Sequence, residues 1–207
     1  MRACVIGDSH VPRRAKDIPE LIKNKIIELT NKELFDYTFF TGDLVKAPQI
    51  LEFLNNRTKK NVFVVIGNMD YFDGNRDAPL YQKLKLKLKD GNDLIIGLTH
   101  GAQISPRGDH AQLELLAAER GYHILISGHT HHEEIHLTEN GTLLLNPGSC
   151  TGAWSFVASG IPSFITLKIE ENSNHIIVVL YQLKNNKQIF ETIYEFMFEN
   201  GKIHRRI

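Results

Sequence analysis

The sequence predicts an α/β fold in which two β-sheets pack face to face with helices on their outer sides. Two observations lead there. The first two thirds of the chain alternate short apolar runs with amphipathic or polar stretches. From Glu133 onward the helical pattern disappears, and the remaining periodic segments read as strands. No Pro/Ser/Gly tract, internal repeat or low-complexity segment divides the 207 residues, so a single domain over residues 1–207 is expected.

The elements follow in order. Met1 to Ile6 enters a strand at once, and a polar loop through Arg13 and Arg14 follows. Asp17 is placed to cap a helix, with Pro19 in its first turn and Glu20 three residues on. That helix presents Ile22, Ile26 and Leu29 on one face. Tyr37 to Thr41 is a second strand, and Pro48 opens a second helix with Ile50, Phe53 and Leu54 on one side. Asn61 to Ile66 is a third strand, almost wholly apolar, as expected when both faces are covered. Lys83 to Lys89 alternates Lys and Leu strictly, which predicts a strand with Leu inward and Lys outward. Its lysines read as protection against edge-to-edge pairing rather than as a nucleic-acid stripe. Asp90-Gly91-Asn92-Asp93 is a hairpin turn, and Leu94 to Thr99 returns as a strand. Gly108 to Arg120 reads as a helix burying Leu113, Leu116 and Ala117, and Ile124 to Ser127 as a short buried strand. Asn140-Gly141 then joins two strands. Segments near Phe164 to Ile169, His175 to Gln182 and Ile189 to Phe198 complete the β half.

Composition narrows the function. Lys plus Arg and Asp plus Glu both total 24, so there is no global field to attract nucleic acid or an acidic membrane surface. No apolar stretch approaches the roughly 20 residues that span a bilayer, and Met1 to Ile6 reads as a strand without the n-region and h-region expected of a signal peptide. Cys4 and Cys150 each sit beside an apolar run and read as buried free thiols, so a reducing, cytoplasmic setting is expected.

The chemistry lies in a pattern that recurs along the chain: an apolar strand ends and a metal-competent side chain follows. Val5-Ile6 precedes Gly7-Asp8-Ser9-His10, and Phe39-Phe40-Thr41 precedes Gly42-Asp43. Val64-Val65-Ile66 precedes Gly67-Asn68-Met69-Asp70, and Leu98-Thr99 precedes His100-Gly101. Leu125-Ile126-Ser127 precedes Gly128-His129-Thr130-His131. If the strands run roughly parallel, their carboxyl ends share one edge, where sites in open α/β sheets form. Carboxylate, imidazole and amide ligands together suit borderline divalent ions such as Mn, Zn, Fe or Ni. Two His at i, i+2 on a turn can serve two neighbouring ions, and one Asp can bridge them.

These ordered motifs resemble those of the calcineurin-like metallophosphoesterases, whose fold is a four-layer αββα sandwich of two mixed β-sheets. By that resemblance Asp8, His10, Asp43 and His131 hold a first metal ion. Asp43 bridges to a second, completed by Asn68, His100 and His129. It implies a phosphate-ester substrate, most of all a phosphodiester, attacked in line by a metal-bridging hydroxide, with Asp43, Asn68 and His100 central to catalysis. Gly7 to Arg14, His100 to Asp109, Ile124 to His131 and Asn146 to Ser149 also look like the smallest core subunit of the retromer coat. That closer likeness implies an alternative, a protein-interaction scaffold in membrane trafficking that docks on a helical-solenoid partner and sits near membranes only through it.

One departure bears on the chemistry. Enzymes of the wider family carry His after the motif Asn, where it is thought to protonate the leaving group; here that residue is Met69, and a thioether has no proton to give. Small phosphodiesterases of the same branch also lack that His. Hydrolysis is therefore expected to favour leaving groups that need little help. Of His110, His132 and His136, which lie near the motifs, His110 is the first candidate to replace the acid, although an ordinary polar loop residue is the preferred reading. Asp70 either orients a ligand or caps a turn. Trp154, Phe156 and Val157 are expected to be mostly buried, the alternative being an apolar surface patch for a partner, and Ser9 lacks the partners of a nucleophilic serine.

Overall fold

The computed structural model describes residues 1–206. In chain order the elements are β1 (Arg2–Ile6), α1 (Glu20–Thr30), β2 (Phe35–Phe40), α2 (Pro48–Asn55), β3 (Thr58–Val64) and α3 (Asn68–Phe72). Next come β4 (Tyr81–Lys87), β5 (Asp93–Thr99), α4 (His110–Arg120), β6 (Ile124–Ile126), β7 (Glu133–Leu137) and β8 (Leu143–Pro147). The chain finishes with β9 (Ser163–Glu170), β10 (His175–Lys184), β11 (Gln188–Glu199) and β12 (Lys202–Arg205).

Two mixed sheets result. The seven-stranded sheet runs β12-β11-β10-β9-β1-β2-β3, with β1, β2 and β3 parallel and the β9-to-β12 half antiparallel. The five-stranded sheet runs β4-β5-β6-β8-β7, with β5, β6 and β8 parallel and an antiparallel strand at each edge.

Strand alternation builds the layers, because successive side chains point to opposite faces. On β1, Ala3 and Val5 enter the core between the sheets, where they meet Ile124 and Ile126 of β6 and Leu143 and Leu145 of β8. Cys4 and Ile6 face the other way, onto Ile22 and Ile26 of α1 and Ile50 and Leu54 of α2. Leu125 and Leu144 likewise turn outward, under Leu113 and Ala117 of α4. Helices, sheet, sheet and helix thus form four layers, as the αββα expectation required. Each fully buried Leu, Ile or Val contributes about 1.5–3 kcal/mol to holding them together.

Several local readings hold. Cys4 and Cys150 are free and buried. β4 is an edge strand, with Leu86 buried and Lys83, Lys85 and Lys87 exposed. Two others are corrected and one strand is added. Asp17 does not cap α1: its Oδ1 accepts from Ile18 N at 2.8 Å, its Oδ2 meets Lys23, and the helix begins after Pro19. Buried Ile18 pulls that stretch inward before the helix can start. The chain after Phe198 turns at Asn200-Gly201 into β12, a strand the periodicity did not reveal because it is only four residues long. Trp154, Phe156 and Val157 are not core residues; they are 62%, 79% and 46% exposed. Their neighbours Ala153 and Ser155 turn inward to brace the site, which sends the aromatic side chains outward.

Candidate metal centre

Because β1, β2 and β3 are parallel, their carboxyl ends share one edge of the seven-stranded sheet; β5 and β6 do the same in the other. The chain is zipped across these ends. Asp8 N donates to Gly42 O at 2.9 Å, His10 N to Asp43 O at 3.0 Å, and Gly128 N to His100 O at 2.9 Å. The seven predicted side chains therefore come from five loops to one place.

The loops are strained there. Asp8, His10, Asp43, His129 and His131 all have left-handed backbones, with φ of 50°, 49°, 54°, 69° and 59°. Val45, a β-branched residue, has φ 71°. The other described non-glycine residues with positive φ are turn asparagines. Such conformations cost about 1–3 kcal/mol each and persist where surrounding contacts impose them. Two glycines make room: a Cβ on Gly67 would collide with the Asp43 carboxylate, and one on Gly128 with the Asp8 carboxylate.

Asp70 imposes much of this backbone. Its buried carboxylate accepts from Asp43 N at 2.8 Å, Val45 N at 2.7 Å and Gly67 N at 3.0 Å. It thereby ties the loop after β2 to the start of α3 and fixes the Asp43 backbone. The reading that Asp70 orients a ligand stands beside the capping one, since it does both.

Two groups of donor atoms result. In the first, His10 Nε2 stands 3.0 Å from His131 Nε2 and 3.2 Å from Asp43 Oδ2, and His131 Nε2 is 3.3 Å from Asp8 Oδ1. All four residues are buried. In the second, His100 Nε2 stands 3.0 Å from Asn68 Oδ1, 3.2 Å from His129 Nδ1 and 3.5 Å from Asp43 Oδ2. Asp43 Oδ2 faces both groups.

The tautomers decide what these atoms can bind. His131 Nδ1 lies 2.8 Å from Ala153 O and His100 Nδ1 lies 2.8 Å from Thr41 O. A carbonyl only accepts, so each Nδ1 carries the hydrogen and, in the neutral ring, each Nε2 presents a bare lone pair. Around His100 Nε2, the Asn68 oxygen and the Asp43 carboxylate are acceptors too. Acceptors pressed to about 3 Å need a cation between them. Ligand atoms about 2.0–2.2 Å from one ion stand roughly that far apart, so the donor set fits divalent metal.

Electrostatics run the same way. Burial works against the Asp8 and Asp43 charges, but His131 beside Asp8 and His10 and His100 beside Asp43 outweigh it, holding both carboxyls below the usual range. Burial, helped by His100 and Arg107, pushes His129 down to about 4, so its lone pair is free at neutral pH. Burial opposes a charge on His131 as well, yet the Asp8 carboxylate wins and raises its pKa.

Some partners were invisible in the sequence. Thr41 Oγ1 donates to Asp8 Oδ2 at 3.1 Å, and Met69 N donates to Asp43 Oδ1 at 2.8 Å. Ser149 Oγ donates to Asp8 O at 2.7 Å, so the Asn146 to Ser149 turn braces the site. Ser9 Oγ is buried against the Leu44 carbonyl at 3.2 Å and attacks nothing. His110 Nε2 pairs with Glu134 Oε1 at 2.9 Å, and its ring stacks on His136 at 3.9 Å. It lines a different concavity, with Arg107 and His132, and is not placed as the missing acid.

Comparison with known proteins agrees with this architecture. Residues 1–172 match the family model of the calcineurin-like phosphoesterase superfamily domain. A probable metallophosphoesterase of Methanocaldococcus jannaschii is 40% identical over 147 residues, which are 71% of this chain and 67% of that protein. A single mutant of Vps29 from Entamoeba histolytica superposes with a TM-score of 0.80 at 30% identity, covering 95% of this chain and 99% of that one. The wild-type Vps29 of that organism, crystallised with zinc, gives 0.79 at 28% identity, covering 94% and 99%. With the family model spanning most of its length and the fold matching throughout, the chain belongs to the calcineurin-like phosphoesterase superfamily.

Proposed function

We propose that this protein is a two-metal phosphoesterase that hydrolyses phosphodiesters. The observation that carries the reading is Asp43, whose Oδ2 stands 3.2 Å from His10 Nε2 and 3.5 Å from His100 Nε2, between two groups of bare donors. Asp8, His10, Asp43 and His131 would hold one ion, and Asp43, Asn68, His100 and His129 the other. Such a pair, when bound, supplies positive charge to a phosphoryl group in transit and lowers the pKa of water. The chain's own part is to fix donor geometry. Thr41 O and Ala153 O lock two imidazole tautomers, Asp70 holds the Asp43 backbone, and Met69 N anchors the far carboxylate oxygen. Zinc in the Entamoeba protein makes zinc a first ion to try beside manganese. The resemblance to small phosphodiesterases that also lack His beside the motif Asn supports a diester substrate.

A second reading, a scaffold docked on a helical solenoid, draws on the likeness to Vps29 and on exposed Trp154 and Phe156. The loop that the retromer likeness would dock on the solenoid, Ile104 to Arg107, argues against it. Ile104 is buried under α4, while Ser105 and Arg107 are exposed, so that loop offers a polar surface.

The test is turnover of an activated phosphodiester with added manganese or zinc, comparing the intact protein with Asp43→Ala. Loss of at least about a hundredfold in the variant is expected, because one change removes a donor from both groups. Absence of turnover with any metal in a protein that binds two ions would move the assignment to the scaffold.

A further inference from the structure

Beside the metal centre, a cleft of about 330 Å³ opens between α3 and the loop after β5. Ile66, Tyr71, Leu80 and Ala102 make its lining mostly apolar, and Asn68 and His100 belong both to it and to the second donor group. The Leu80 wall is tied down. Ile66 N donates to Pro79 O at 3.0 Å, and Thr99 Oγ1 donates to Leu80 O at 3.2 Å. Yet Leu80 and Tyr71 are 65% and 56% exposed. Apolar side chains left facing water on a backbone tied down beside a reactive centre indicate a surface that a ligand covers.

We propose that this cleft is the leaving-group subsite and takes the planar aromatic ring of an aryl phosphodiester. The proposal rests on the phosphoesterase reading above and names its substrate class. Size supports a ring, since an apolar cavity of about 150 Å³ already admits benzene, and Tyr71 offers an aromatic partner. Chemistry supports an aryl ester. Met69 follows Asn68, at the position to which the family resemblance assigns the leaving-group acid, and it has no proton to donate. A phenol-type oxygen, with a pKa of about 10, leaves as a far weaker base than an alkoxide close to water's roughly 15.7. In the step, a P–O bond forms to the oxygen of water, and the P–O bond to the aryl oxygen breaks with its electron pair leaving on that oxygen. The products are a phosphate monoester dianion, an aryl oxide and two protons released to solvent, which balances the monoanionic diester and water consumed.

Calorimetric titration of the manganese-loaded protein with phenylphosphonate and methylphosphonate tests the subsite without turnover. The phenyl compound is expected to bind about tenfold tighter or more, from apolar area buried. In Leu80→Asn and in Tyr71→Ala, both changes at exposed positions that spare the fold, that preference should shrink to under about threefold. Equal binding of the two phosphonates, binding of neither, or a preference unmoved in both variants overturns the proposal. So does a concentration-dependent dimer that Leu80→Asn dissociates, which would make the cleft a contact between copies. A ring preference in a protein that cleaves no diester sinks the phosphoesterase reading and, with it, the leaving-group role, leaving only a ring-binding cleft; cleavage with no ring preference sinks the subsite alone.

Discussion

Asp8 and His131 show how a single pair of side chains sets the pH response of the metal centre. Burial alone would keep His131 neutral, but the Asp8 carboxylate 3.3 Å away raises its pKa above the ordinary histidine value. The proton this favours sits on the very Nε2 that faces His10 and Asp8. His129 is the opposite case: burial, His100 and Arg107 hold it down to about 4, so it offers no competing proton near neutrality. A cation entering the first group must therefore displace the His131 proton, and the protonated form competes with metal. Affinity should fall as pH falls, by about tenfold per unit once below the His131 pKa. Calorimetric titrations with manganese at pH 8, 7 and 6 would check it, with proton release read from buffers of different ionisation enthalpy. An affinity flat over that range, with no protons released, would contradict this account.

At the scale of elements, the strands decide where donors arrive, and small residues decide how closely the elements approach. Gly97 lies in the middle of β5, two residues before the strand end that delivers His100, and a Cβ there would collide with the ring of Tyr122. Tyr122 is buried with Leu125 and Leu144 beneath α4, so the ring cannot easily move away. Gly97→Ala should cost about 1–3 kcal/mol by overpacking. Urea unfolding would show this as a lower midpoint with an unchanged slope, and a midpoint equal to the parent's would show that the helix layer yields instead. A lone Gly in an apolar strand is a sequence-level sign of such an approach, although its partner is not readable. The same division explains what else was legible. The ends of β1, β2, β5 and β6 could be read because apolar run and ligand are adjacent in sequence. The short α3 could not, since five residues carry too little periodicity. Thr41 Oγ1 and the Ala153 carbonyl escaped notice because their roles exist only once distant loops meet.

Over the whole molecule, the metal centre joins the two sheets. Asp8, His10, Asp43 and Asn68 arrive from the seven-stranded sheet, and His100, His129 and His131 from the five-stranded one. Without a cation, the His100 group carries bare donors about 3 Å apart and the edge holds several left-handed backbones, all of which oppose the closure that the apolar core between the sheets favours. Ions bound there would remove that opposition, and because the unfolded chain cannot assemble the site, their binding energy adds to folding stability. At about a hundredfold excess over Kd, one ion adds about 2.7 kcal/mol. For a chain of this size, each kcal/mol moves Tm by about 2–4 °C. Chelator-stripped protein should therefore melt about 5–10 °C below protein given manganese or zinc. In Asp43→Ala, with the shared carboxylate gone, the same additions should move Tm by less than about 2 °C. A parent protein whose melting ignores both chelator and metal would mean that the donors are held in place by the fold alone, and neither group could then be a metal site.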